Sequence, residues 1–98
     1  MKSVFFSPLA KEDLYNIWDF IANDSPQSTK KVIDKIYTNL QKLSEFPDLG
    51  HTRSDLTQKD VKFWTVYRYL IVYKIEKEEI HIVRILSGFR DIALLLES

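Results

Sequence analysis

The chain has 98 residues, 45% hydrophobic and 13% aromatic, with fourteen basic and fourteen acidic side chains and no cysteine. So apolar a chain of this length should form one compact domain over residues 1–98, and its zero net charge argues against a protein held on nucleic acid by a broad positive field. Without cysteine there are no disulfides or thiolate metal ligands, and without a signal peptide or an apolar run of about 18 residues neither secretion nor a membrane partner is expected, which leaves the cytoplasm as the expected location.

Lys2 to Phe6 (KSVFF) is β-branched and aromatic and predicts a first strand. Ser7-Pro8 then reads as a helix start, serine as the cap and proline in the first turn. Leu14, Ile17, Trp18 and Ile21 recur at helical spacing, so a helix over about Pro8 to Ala22 is expected, with Trp18 in the core. Asn23-Asp24-Ser25-Pro26 repeats the start signal, and Val32, Ile36, Leu40 and Leu43 carry a second helix until Pro47 and Gly50 end it. The two helices form an αα-hairpin.

Residues 47–60 are polar and turn-rich and make the one long connection. Beyond it, Val61–Tyr67, Tyr69–Ile75 and Glu79–Leu86 are rich in Val, Ile, Tyr, Phe and Trp and predict a three-stranded antiparallel meander. The tail from Asp91 to Glu97 suits a short helix or a strand-like clamp. Strand, helix, helix and three strands add up to an α+β domain, with the helical hairpin covering a small sheet.

Charge is spread unevenly. Residues 51–75 hold five basic and two acidic side chains, net +3, and contribute Arg53, Lys62 and Arg68 as candidates for binding an anion or an acidic target. The histidines, His51 and His81, have no carboxylate at ligand spacing, so no metal is expected. With only Gly50 and Gly88 as glycines there is no phosphate-cradling loop, and no cofactor is expected.

In IVRILSGFRD, residues 82–91, strand alternation would place Arg84 on one face with Ile80, Ile82 and Leu86. A guanidinium keeps its charge, so there it must pair with a carboxylate, snorkel to the sheet edge, or face a cleft built for an anion. Asp91, Asp55 and a helix carboxylate are the candidate partners. Arg90 follows just past the Ser87-Gly88 step.

Three stretches in order resemble the ParE/RelE superfamily of toxins from type II toxin–antitoxin systems: Phe46-Pro47-Asp48-Leu49-Gly50 with Arg53 and Leu56, the strand from Tyr69 to Ile75, and Ile82 to Asp91. The resemblance covers nearly the whole chain and implies the family fold, β-α-α-β-β-β with a short C-terminal tail, its N-terminal strand and helical hairpin packed on an antiparallel sheet. It also implies growth arrest in the manner of plasmid-stabilization toxins, with a cognate antitoxin as partner. ParE-like members poison DNA gyrase by binding, whereas RelE-like members cut mRNA on the ribosome.

RNA cleavage through the 2′-hydroxyl needs groups that accept and supply a proton, besides cations for the phosphate charge. The RelE-like site resembled here places lysines where this chain has Val61 and Phe63, an arginine where it has Leu70, and a tyrosine or histidine after His81 where it has neither. Ser87 stands where many relatives carry histidine. The expectation is therefore a ParE-like gyrase-binding toxin, not an enzyme, that uses Arg53, Lys62, Arg68, Arg84 and Arg90 to hold its target and has no sequence-specific DNA binding of its own. The alternatives are a metal-independent mRNA endoribonuclease whose partners are the ribosome and mRNA and whose candidates are Arg84, Ser87 and Arg90, or a homologue that has lost its toxicity.

Overall fold

The computed structural model describes residues 2–87 and 92–97. Its elements run β1 (Ser3–Phe6), α1 (Pro8–Asp24), α2 (Pro26–Glu45), a 3-10 turn (Pro47–Leu49), β2 (Lys62–Val66), β3 (Tyr69–Glu76), β4 (Glu79–Ser87) and α3 (Ile92–Glu97). The strands form one sheet in the order β1-β4-β3-β2. The meander β2-β3-β4 is antiparallel as expected, but β1 enters the sheet beside β4 and parallel to it, from Ser3 opposite Glu79 to Phe6 opposite Ile82. The sheet is therefore mixed. A parallel neighbour needs a long connection, and here everything from the helical hairpin through β2 and β3 lies between β1 and β4.

Helical periodicity is obeyed where it faces the sheet. Ala10 and Ile17 of α1 and Ile36, Leu40 and Leu43 of α2 pack with Ile71, Tyr73, Ile80, Ile82 and Ile85 into the main core. Each fully buried aliphatic side chain contributes about 1.5–3 kcal/mol of transfer free energy. Trp18 does not join them: it is 50% exposed. The stripe Leu14, Ile17, Trp18 and Ile21 is wider than the face α1 turns to the sheet, and Trp18 falls on its outer margin.

The opposite sheet face carries a second cluster, Val61, Phe63, Val72, Leu86 and Leu96, with Leu56 and Ile92 at its rim. Helix α3 and the long connection close it. The connection is pinned at Tyr73, whose hydroxyl donates to the Pro47 carbonyl (2.6 Å) and accepts from the Gly50 amide (2.9 Å). A Cβ on Gly50 would lie 2.7 Å from the Tyr73 ring, so only glycine fits against that buried phenol.

One irregularity overturns the alternation expected of the last strand. Val72 faces Arg84 but Tyr73 faces Ile82, which leaves Val83 as an extra residue in β4. The bulge reverses the in-and-out phase: Ile80, Ile82 and Ile85 all join the helix-side core, while Leu86 joins the opposite cluster with Val83 packed against it. Ile80 and Ile82 therefore do not share a face with Leu86, and Arg84, opposite Val72, does not join Ile80 and Ile82 as simple alternation would have it. Among the described residues no helix is long and apolar enough to cross a membrane.

Candidate functional site

The site begins with a helix cap. Ser7 Oγ accepts from the Ala10 amide (3.0 Å), as its position before Pro8 predicts, and also donates to the Val83 carbonyl (2.7 Å), while the Ser7 amide donates to the Ile82 carbonyl (2.9 Å). These bonds fix the start of α1 at the point where β1 ends and β4 runs on, paired only with β3. Farther along α1, Asp13 meets the edge of β4 that β1 leaves uncovered. Arg84 donates to its carboxylate through Nε (2.8 Å) and Nη2 (2.9 Å), and the Ile85 amide donates to the same Oδ2 (3.0 Å).

This is a bidentate pair in a largely buried setting, the two side chains being 16% and 13% exposed. The Arg84 guanidinium is held above its ordinary value, first by its hydrogen bond to Asp13, against the opposing cost of burial, with the charges of Asp13 and Glu12 adding. Of the three carboxylate partners that the sequence leaves open, the helix carboxylate is the one that takes it.

Beside the pair opens a cleft of about 610 Å³ whose wall includes Asp13, Asn16, Phe20, Arg68, Tyr69 and Ser87 together with Arg84. It brings together three of the sequence-derived candidates, Arg68, Arg84 and Ser87. Arg53 lies apart, lining a neighbouring cleft of about 280 Å³ with Thr65, Tyr67 and, again, Arg68. There Arg53 donates to Asp55 (2.9 and 2.7 Å), which raises the guanidinium value and lowers that of the carboxyl, chiefly through the side-chain hydrogen bond. Lys62 sits at the far end of β2, opposite Tyr73, and lines neither cleft. Arg90 lies outside the described residues.

Arg68 has no hydrogen-bond or ion-pair partner among the described residues. It is exposed and lines both clefts, on the ridge between them. The histidines are elsewhere. The His51 backbone bridges to Phe63, and His81 is held by Glu79 (2.9 Å) with its ring stacked on Phe5, at the opposite end of the sheet from Arg68. Among the described residues that line the large cleft there is neither histidine nor lysine.

A second concave surface lies between the helices. Phe6, Leu14, Tyr15, Trp18, Ile33 and Tyr37 line a groove of about 430 Å³, with Lys11 the one charged residue among the described ones that line it. Tyr15 and Trp18 meet edge to face at 6.3 Å and are both at least half exposed. Sequence reasoning missed this groove because periodicity scores aromatics as core. It passed over Asp13 as the specific partner because no spacing in the sequence links a residue of the first helix to the last strand.

Residues 4–92 match the model of the ParE toxin family, described as the ParE toxin of the type II toxin–antitoxin system parDE. The chain is 27% identical to the toxin RelE3 of Caulobacter vibrioides, covering 87% of this chain and 92% of that protein, and 30% identical to the toxin ParE3 of the same organism, covering 80% and 77%. Its fold is similar to a chain of a chromosomal ParDE system from P. aeruginosa (TM-score 0.75, 22% identity, 89% and 96% covered). It is also similar to a chain of the heterotetrameric YoeB–YefM toxin–antitoxin complex of Staphylococcus aureus (TM-score 0.57, 21% identity, 86% and 93% covered). A helical hairpin on a four-stranded sheet, the ordered signature stretches and a family match over most of the chain agree: this protein belongs to the ParE toxin family of type II toxin–antitoxin systems.

Proposed function

We propose that this toxin arrests growth by binding and inhibiting DNA gyrase, in the cytoplasm, and that a cognate antitoxin neutralises it. The observation that carries the first part is the state of Arg84. A cation for phosphate chemistry must be available to the developing charge, but here the Arg84 charge is already matched by Asp13, which takes two of its donors, through Nε and Nη2. The same bonds and the Ile85 amide occupy both oxygens of the Asp13 carboxylate. Ser87 has no activating histidine among the residues around the cleft. Such a cleft suits recognition better than proton transfer.

The antitoxin part rests on the helical groove. Its exposed tyrosines and tryptophan fit the apolar face of an amphipathic segment, and Lys11 at its rim fits an acidic residue on that segment. The solved relatives include a toxin–antitoxin ParDE system and a YoeB–YefM complex, which supports a partner of this kind.

The test is a supercoiling assay with purified gyrase and relaxed plasmid, run beside programmed ribosomes carrying a labelled message. Suppressed supercoiling or trapped cleaved DNA with an intact message is expected. Cut message with undisturbed supercoiling, abolished by Arg84→Ala, would replace this reading with mRNA cleavage.

A further inference from the structure

The two hairpin turns are built alike and dressed differently. Tyr67-Arg68 joins β2 to β3 and Lys77-Glu78 joins β3 to β4. In each, the first residue has left-handed backbone, φ 56° at Tyr67 and φ 55° at Lys77. Glycine is the residue that adopts this conformation without strain, and a bulky side chain there is uncommon. Lys77 puts a solvated amine in that position. Tyr67 puts an aromatic ring there and leaves it 55% exposed, beside a guanidinium with no partner among the described residues.

We infer that the β2–β3 tip, with Tyr67 as aromatic anchor and Arg68 as cation, is the element that engages the toxin's target, and that it takes an acidic protein surface. This rests on the binding reading above and names the part of the molecule that carries it. Exposed tyrosine and arginine side by side are the residues that concentrate binding energy at protein interfaces. Charge complementarity selects the partner. Among the described residues, the cleft beneath the tip is lined by Arg53, Thr65, Tyr67, Arg68, Leu70 and Ile92 with Tyr69, none of them acidic. Arg53 already has Asp55, so the unmatched charge is that of Arg68, which a carboxylate on the partner would neutralise bidentately. A nucleic acid would call for a wider field than a chain of zero net charge presents.

Three variants test it, with two readouts: growth arrest on expression without antitoxin, and inhibition of gyrase supercoiling. Tyr67→Gly is suited to the backbone at φ 56° and keeps the fold, so thermal unfolding is unchanged or improved while both toxic readouts weaken by about tenfold or more. Arg68→Glu weakens them at least as much. Lys77→Gly makes the same backbone change at the other turn and leaves both readouts at the wild-type level. Equal toxicity of wild type, Tyr67→Gly and Arg68→Glu overturns the inference. Loss of arrest in the tip variants from a wild type that arrests growth but spares gyrase keeps the inference and removes gyrase as the target. A wild type that does neither overturns both. Salt-sensitive binding of a short single-stranded oligonucleotide, lost in Arg68→Glu, overturns the acidic-protein partner.

Discussion

The two large concave surfaces of this toxin are made from opposite materials. The groove between α1 and α2 is aromatic and nearly uncharged, with Tyr15, Trp18 and Tyr37 left at the surface over Phe6, Leu14 and Ile33, which pack on the core. The cleft between α1 and β4 mixes apolar walls with charge, and its ion pair, Asp13 and Arg84, is mostly buried and bonded into the backbone of β4. The difference separates two kinds of dependence. The groove can lose one of its exposed rings without loosening the fold, whereas the cleft cannot lose either member of its pair without stranding a charge.

Asp13→Ala is the severest break. Leaving Arg84 without its carboxylate, and the Ile85 amide without its acceptor, should cost about 3 kcal/mol in denaturant unfolding. The paired change Asp13→Leu with Arg84→Met should recover most of it, because the cost lies in the uncompensated charge. If the single and double variants unfold together, the pair is not what holds the cleft. Trp18→Ala inverts the outcome: about 2 kcal/mol lost in antitoxin affinity by calorimetry, and under about 0.5 kcal/mol lost in stability.

Between them stands Tyr73→Phe, which removes both bonds to the Pro47–Gly50 segment at about 1–2 kcal/mol. Burial, above all, holds the Tyr73 hydroxyl above its usual value of 10, with the Gly50 bond working the other way. A raised value in the folded state means the stabilisation is complete below the unfolded value and is lost as pH rises through the folded one. Thermal unfolding should therefore fall off on the alkaline side in the wild type and less steeply in Tyr73→Phe. Smallest of all, Arg53→Ala should leave the unfolding midpoint unmoved, since the Arg53–Asp55 pair sits in solvent.

Much of this was legible in the chain. The Ser7-Pro8 and Ser25-Pro26 starts, the helical spacing of Ile36, Leu40 and Leu43, and the three β-rich runs carry their information locally, and the elements lie close to where they were expected. Non-local features were not readable. Nothing in KSVFF says that the strand will lie parallel to the last one, and nothing in EIHIVRILS marks Val83 as the residue that slips out of register. The bulge matters most for the site, because alternation carried through it assigns Arg84 to the wrong company. Trp18 failed for another reason: an aromatic at core spacing and an aromatic kept for a partner look the same in one sequence.

The short length of β1 has a consequence for life in a crowded solution. β1 stops at Phe6 while β4 runs on to Ser87, so the sheet's outer border changes hands midway, from a strand to a helix side chain. An exposed strand border is an invitation to stack with another molecule's border. Here Ser7 takes the Val83 carbonyl and Asp13 takes the Ile85 amide, so the two groups are already engaged within the chain. One carboxylate thus does two jobs, holding a buried arginine in place and keeping the last strand from recruiting neighbours.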